Sequence, residues 1–264
     1  STFSITATDD ENQTSSARSF SITVNAILPS QHFNTTLYTG TGATQAITGL
    51  SFQPDMVWVK NYGTAGYNHC VQDSVRGPSS NLYILYPDGT WAQATNTTSD
   101  YFQSLNSDGF SVGGNAYFGG SSNSYVGYSF RGGGAPTATN SAGAGNAPTL
   151  GSVMIDDSAS TATLPGTNPI TKLSANTTLG YSMVELSKTN TNSETFAHGL
   201  GVVPEMIILK RTVSADDWYV YHKDLGNTVR ISLNSTAAKV TGTGVWDSTT
   251  PTSSVFSLQN QSGG

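Results

Sequence analysis

The chain has 264 residues, of which 36% are hydrophobic, 10% aromatic and 11% charged, with a net charge of −6. That is room for two ordinary domains or one large β domain. The apolar content and small net charge exclude a disordered chain despite few charges, the acidic balance excludes a nucleic-acid binder's basic footprint, and the single cysteine, Cys70, excludes a disulfide framework and a multi-cysteine zinc site.

No apolar stripe at helical spacing runs for any length. Short β-branched and aromatic runs broken by Gly, Asn, Asp, Ser and Pro predict an all-β chain of tandem antiparallel β-sandwich-like modules. No stretch approaches the roughly 18 continuous apolar residues of a membrane helix, so no membrane insertion is expected. The pattern opens mid-stream at Ser1, as in an internal piece of a longer polypeptide. "TFSITATD" alternates Phe3, Ile5 and Ala7 against threonines and serine, and "SFSITVNAI" alternates Phe20, Ile22 and Val24. Residues 1–30 therefore read as a closing hairpin, since two strands alone form no stable unit. Pro29 in "LPSQ" interrupts any ladder and marks a boundary.

The first β module is expected over residues 31–131. "NTTLYTG" and "ATQAITG" are short strands split by a Gly-Thr turn. Pro54 precedes Met56-Val57-Trp58-Val59, apolar on both faces, which predicts a central strand covered on both sides. Lys60 is expected to carry its ammonium out to water at the strand exit. "NLYILY", the turn "PDGT", "SDGFSVGGN" and "SYVGYSF" complete the module. Residues 132–178, rich in Gly, Ala and Thr, read as a linker with connecting strands. The pattern restarts over residues 179–264. "GLSFQPDMVWVK" from Gly49 returns as "GLGVVPEMIILK" from Gly199, with Gly, Leu, Pro, Met and Lys at matching places and no gap. This second module has no counterpart of "SYVGYSF" and is expected to be truncated. Two divergent copies of one unit are a means of building a long object from small cores.

"LYTGTGATQAITGLSFQPDMVWVKN", "DSVRG", "SDGFSVGGN" and "SYVGYSFRGGG", with "FAHGLGVVPEMIILKR" and "VWDSTTPTSSVFSL" further on, resemble a module common in tail-fibre and other virion proteins of bacteriophages, including cyanobacterial phages. "TATDDENQ…ARSFSITV" resembles the last two strands of Ig-like or cadherin-like modules. The resemblance implies a structural virion protein, a tail fibre or appendage used in host attachment. It also implies a homotrimer that touches other virion proteins and a host-surface glycan or protein. A capsid decoration or head fibre, and a secreted bacterial adhesin, stay open as alternatives.

The residues offer little chemistry. No nucleophile elbow, zincin helix, P-loop or dinucleotide fingerprint occurs, so no enzyme and no cofactor is expected. His69 and Cys70 are adjacent and would point to opposite faces of a strand. Asp73, Asp88, Asp108, Glu185 and Asp217 are candidates for the paired carboxylates of a glycosidase, but most sit in turn-forming contexts. Asp9, Asp10 and Glu11 form an acidic loop that is a weak candidate for a hard cation. Trp91, Tyr101, Tyr117, Phe118 and Tyr125 lie in polar, Gly-rich surroundings and are candidates for surface binding.

Overall fold

In the computed structural model the described residues are 2–5, 8, 10–21, 28–77, 82–96, 98, 100–188, 193–242 and 244–259. Strands β1 (Thr2–Ile5) and β2 (Arg18–Ser21) pair antiparallel, Phe3 opposite Phe20. The expected continuation of the second strand past Ser21 lies outside the described residues. A 3-10 turn, Pro29–Gln31, starts where proline's fixed φ favours it.

Module one carries β3 (Phe33–Thr39), β4 (Gln45–Thr48), β5 (Met56–Asn61), β6 (Cys70–Asp73), β7 (Leu82–Ile84), β8 (Ala94–Asn96), β9 (Phe102–Asn106), β10 (Gly109–Val112) and β11 (Ser124–Phe130). The order β3-β11-β5-β6 forms one sheet and β4-β10-β9 the other, with β7-β8 as a side ribbon. Between the two sheets lie Ile47, Leu50, Val57, Val59, Cys70, Phe102, Phe110, Phe118 and Tyr125, all buried. The sheets approach so closely that a Cβ on Gly127 would stand 2.9 Å from the Phe110 ring. The turn "NSDG" closes β9 onto β10 and also grips the opening of the repeated phrase. The Asp108 carboxylate accepts the Gly49 N–H at 3.0 Å and the Ser51 N–H at 2.6 Å. This grip seats Leu50, fully buried, in the core.

Strand β5 is central, as its apolar pattern predicts. Val57 and Val59 face the module's own core. Met56 and Trp58 on the other face pack against Val71, Leu85 and Trp218. Trp218 belongs to the second module, so the two-faced apolar pattern records an interface between modules as well as a core. Lys60 does not run out to water. Its Nζ donates to the Tyr67 carbonyl, and Lys210 donates to the carbonyls of Thr90 at 3.0 Å and Asp216 at 2.7 Å. Folded-back loops bring carbonyls to both exits, and an ammonium bonded to a fixed acceptor needs less water.

Module two carries β12 (Val153–Ile155), β13 (Ser158–Ala159), β14 (Ile170–Asn176), β15 (Tyr181–Leu186), β16 (Glu194–Ala197), β17 (Met206–Lys210), β18 (Trp218–His222), β19 (Val229–Ser232), β20 (Val240–Thr241) and β21 (Val255–Leu258). Its sheets are β13-β12-β14-β15, β16-β21 and β17-β18-β19-β20. Among the described residues only β12 and β14 pair in parallel. Leu173, Ala175, Phe196, Tyr221, Trp246, Phe256 and Leu258 form its core. Three strands, β12 to β14, lie in the stretch read from sequence as a linker with connecting strands. β14 forms a hairpin with β15.

The junction is tightly bonded. Asp55 is 3% exposed, and its Oδ1 accepts the Ser74 hydroxyl at 2.9 Å. Oδ2 accepts the N–H of Gly132 at 2.8 Å and of Gly134 at 3.3 Å. Burial pushes this carboxyl above its usual range against those three donors. Gly133 N–H donates to Ser174 Oγ at 2.9 Å, and Phe130 stacks on Tyr181 at 5.4 Å. At the matching repeat position Glu205 is exposed and pairs with Lys223 at 2.5 Å. Asp55 is therefore a buckle between modules, while Glu205 is a surface ion pair.

His198 distinguishes the second module. It is 4% exposed, with Nδ1 accepting the Leu200 N–H at 3.2 Å and Nε2 facing the Thr252 carbonyl at 3.2 Å. That arrangement requires the neutral ring, and burial holds its pKa below the ordinary 6.5, opposed by the bond to Thr252. The folded pKa is depressed, so this stability is full above pH 6.5 and is lost as pH falls below it towards the folded value. Urea midpoints measured at pH 7.5 and pH 5.5 are expected to drop on acidification. His198→Asn should flatten part of that slope. His69, whose pKa burial also lowers, adds to the slope in the same direction.

Candidate functional site: an aromatic ledge on module one

Five rings from four loops meet on one side of module one. Tyr67 lies between β5 and β6, Tyr86 and Trp91 between β7 and β8, Tyr101 just before β9, and Tyr117 between β10 and β11. Tyr117 is the hub. Its ring centroid stands 5.3 Å from Tyr67, 6.3 Å from Tyr86 and 6.4 Å from Tyr101, the last nearly parallel at 16°. Trp91 meets Tyr86 edge-on at 5.8 Å and is 52% exposed. Its indole lies across Gly89, where a Cβ would fall 1.9 Å from the ring. Burial pushes the Tyr86 phenol up to about 12, so it stays a neutral donor.

The loops are fixed by backbone bonds. Gly113 N donates to the Tyr101 carbonyl at 2.5 Å and Asn115 N to the Asp100 carbonyl at 2.7 Å. Asn115 Oδ1 accepts the Tyr117 N–H at 3.0 Å, which sets the hub ring. Module two braces the Trp91 loop from outside. Asp216 N donates to the Thr90 carbonyl and Gln93 N to the Thr212 carbonyl, each at 2.8 Å, and Trp218 Nε1 donates to the Tyr86 carbonyl at 2.9 Å. Exposed Asp88 accepts the His69 N–H at 3.1 Å and places a carboxylate beside the rings. The result is a preordered aromatic surface edged with carboxylate and amide, able to stack on the apolar face of a polar ligand while bonding its rim.

A family model described as a domain of unknown function (DUF7483) matches the chain twice, over residues 28–154 and 155–263. The chain belongs to this family. No curated protein and no solved structure matches it. The two DUF7483 matches abut within β12, so each copy takes in one of the packed units described above. The ledge lies on the first copy, and the second copy's loop between β17 and β18, which matches the Tyr67 loop, is spent on bracing Thr90 and Gln93.

The ring candidates divide. Trp91, Tyr101 and Tyr117 lie on the ledge. Phe118 and Tyr125 are fully buried in the core. The Tyr125 hydroxyl is satisfied inside, donating to the Ala116 carbonyl and accepting the Gly120 N–H, both at 2.8 Å. Tyr67 and Tyr86 are ledge members that sequence reasoning missed. Their signal was a place in the polar, turn-rich phrases "YGTAGYNH" and "YPDGTW", the context that singled out Trp91. In the acidic loop, Asp10 and Glu11 are exposed and Asp9 lies outside the described residues. Among the described residues no group of three or more His, Cys, Asp or Glu side chains comes together as metal ligands.

The carboxylates weighed for chemistry each have a local bond. Asp73 pairs with Arg76 at 2.6 Å, and Asp108 grips Gly49 and Ser51. Asp217 accepts from Asn234 at 2.8 Å, and Glu185 lies 3.8 Å from Lys172. Cys70 is fully buried in the core, and burial raises its thiol far above the reactive range.

Proposed function

We propose that this DUF7483 chain is a structural component of a bacteriophage virion, a tail fibre or appendage, whose first module touches a host-surface glycan through the aromatic ledge. The observation that carries the binding role is Trp91, half exposed on a ledge whose loops are held from both modules. An exposed indole contributes little to folding, and holding one rigid serves contact with something outside. The virion role is supported by the fibre-type phrases of the sequence and by two closely joined copies of one β unit.

Mass spectrometry and immunogold labelling of purified virions test the location, and labelling on the capsid would favour a decoration protein. For the ledge, the purified chain is expected to compete with virions for adsorption to host cells. Trp91→Ala should weaken that competition at least tenfold, a loss of about 1.4 kcal/mol, with an unchanged melting temperature. A Trp91→Ala protein that competes as well as the parent sinks the binding role.

A further inference from the structure

A cleft of about 350 Å³ opens where the two modules meet, with the buried Asp55 in its floor. Ser51, Gln53 and Ser107 line one wall, and Gly134 and Asp157 line the other. Arg131 closes one side, with its Nη2 2.5 Å from Asp157 Oδ2. That volume is at the small end of ligand sites, which run from roughly 300 to 1,000 Å³. Both walls are held by backbone bonds. The Ser51 N–H donates to Asp108 at 2.6 Å, and the Asp157 N–H donates to the Gly133 carbonyl at 2.9 Å.

The polar groups of this cleft are largely unspent. The hydroxyls of Ser51 and Ser107 and the amide of Gln53 bond nothing else among the described residues. Asp157 gives Oδ2 to Arg131 and keeps Oδ1 free. A carboxylate has about four acceptor sites, and on Asp55 the donors Ser74, Gly132 and Gly134 leave one over. Phe52 and Ala135 add apolar surface between these groups.

The second copy of the phrase shows that the fold does not require this lining. Ser51 and Gly201 occupy matching places, and both hold the left-handed backbone, at φ 66° and 72°. Glycine takes that conformation freely, whereas the Cβ of a serine resists it. Copy one carries the serine all the same. Beside it, Phe52 and Gln53 are replaced in copy two by Val202 and Val203, so both polar side chains are missing there. Strain held in one copy and relieved in the other points to a use for the side chain.

We propose that this cleft binds a neutral pyranose ring of a glycan, at a site separate from the ledge. Each sugar hydroxyl both donates and accepts, which suits free carboxylate oxygens set beside hydroxyls and an amide. The C–H face of the ring suits the apolar surface of Phe52 and Ala135. Two carboxylates, Asp55 and Asp157, stand against the one guanidinium of Arg131. That balance disfavours an acidic sugar, because like charges brought together cost binding energy.

The test titrates the isotopically labelled full chain with the methyl glycosides of glucose, galactose, mannose and N-acetylglucosamine, and follows the backbone amide resonances. The methyl glycoside of glucuronic acid is the acidic counterpart. At least one neutral glycoside should shift the amides of Ser51, Gln53 and Gly134 saturably, and the glucuronide should not. Ser51→Gly should weaken that binding by about fivefold, the usual worth of one hydrogen bond. Its melting temperature should hold or rise, because the strain leaves with the hydroxyl. Gln53→Ala should weaken binding likewise with the fold intact. Trp91→Ala should leave it unchanged. No shift at these amides with any neutral glycoside at millimolar concentration overturns the proposal, and so does a glucuronide that binds as tightly. Binding indifferent to both Ser51→Gly and Gln53→Ala overturns it as well. Shifts at Tyr67 and Tyr117 instead give the sugar to the ledge, which sinks the cleft and leaves the ledge standing.

Discussion

Phe110→Ala is expected to destabilise module one by about 3–5 kcal/mol, the range for deleting a buried phenylalanine. The ring is fully buried, stacks on Phe102 at 5.7 Å, meets Tyr38 edge-on at 6.1 Å and fills the space above Gly127. It therefore touches both sheets at their closest approach, and neither can slide inward to fill the void without breaking its ladders. The check is urea unfolding followed by tryptophan fluorescence, in which Trp58 and Trp91 report module one and Trp218 and Trp246 module two. A midpoint shift with unchanged slope measures stability. A shift worth under about 1 kcal/mol would mean that the sheets collapse around the deletion more freely than their packing implies.

Gly133→Ala is expected to cost about 3 kcal/mol, the upper part of the usual overpacking range. Its added methyl would stand 2.0 Å from the Ala175 carbonyl oxygen, a backbone atom that cannot rotate aside. Relief requires residues 131–134 to lift off β14, which breaks the bonds of Gly132 and Gly134 to Asp55 and of Gly133 to Ser174. The melting temperature should fall by roughly 6–12 °C for a domain of this size, and proteolytic cleavage should appear near the junction. Gly143→Ala is the control, since its methyl would meet only Asn146 Nδ2 at 3.6 Å. It should stay within about 0.5 kcal/mol of the parent.

The all-β class and the repeated unit were legible because they rest on local pattern. A continuous apolar run marks β5, and Gly49 and Gly199 both take the positive φ at the head of their phrase. What local pattern could not give is long-range pairing. Connecting strands were expected somewhere in residues 132–178, but the parallel pairing of β12 with β14 is decided by neighbours elsewhere in the chain. Two of the five ring candidates, Phe118 and Tyr125, lie in the core instead of on the surface. In "SYVGYSF" the larger apolar side chains Val126, Tyr128 and Phe130 suggest the inward face, yet Tyr125, Gly127 and Ser129 are the buried ones. The opposing Phe110 ring leaves room for a glycine there, and internal partners satisfy the Tyr125 hydroxyl. The ledge was half legible for a related reason. A turn-rich context flags an exposed ring, but only the meeting of four loops shows which rings share a surface.

The buckle at Asp55 has a mechanical consequence. A pull along the chain passes from β11 to β12 through residues 131–134. It meets the bonds of Gly132 and Gly134 to the Asp55 carboxylate, the Gly133–Ser174 bond and the Phe130–Tyr181 stack together rather than one after another. Bonds loaded in parallel share the force, so the joint is stiff and yields late. Two units coupled in this way resist separation at the junction as one piece.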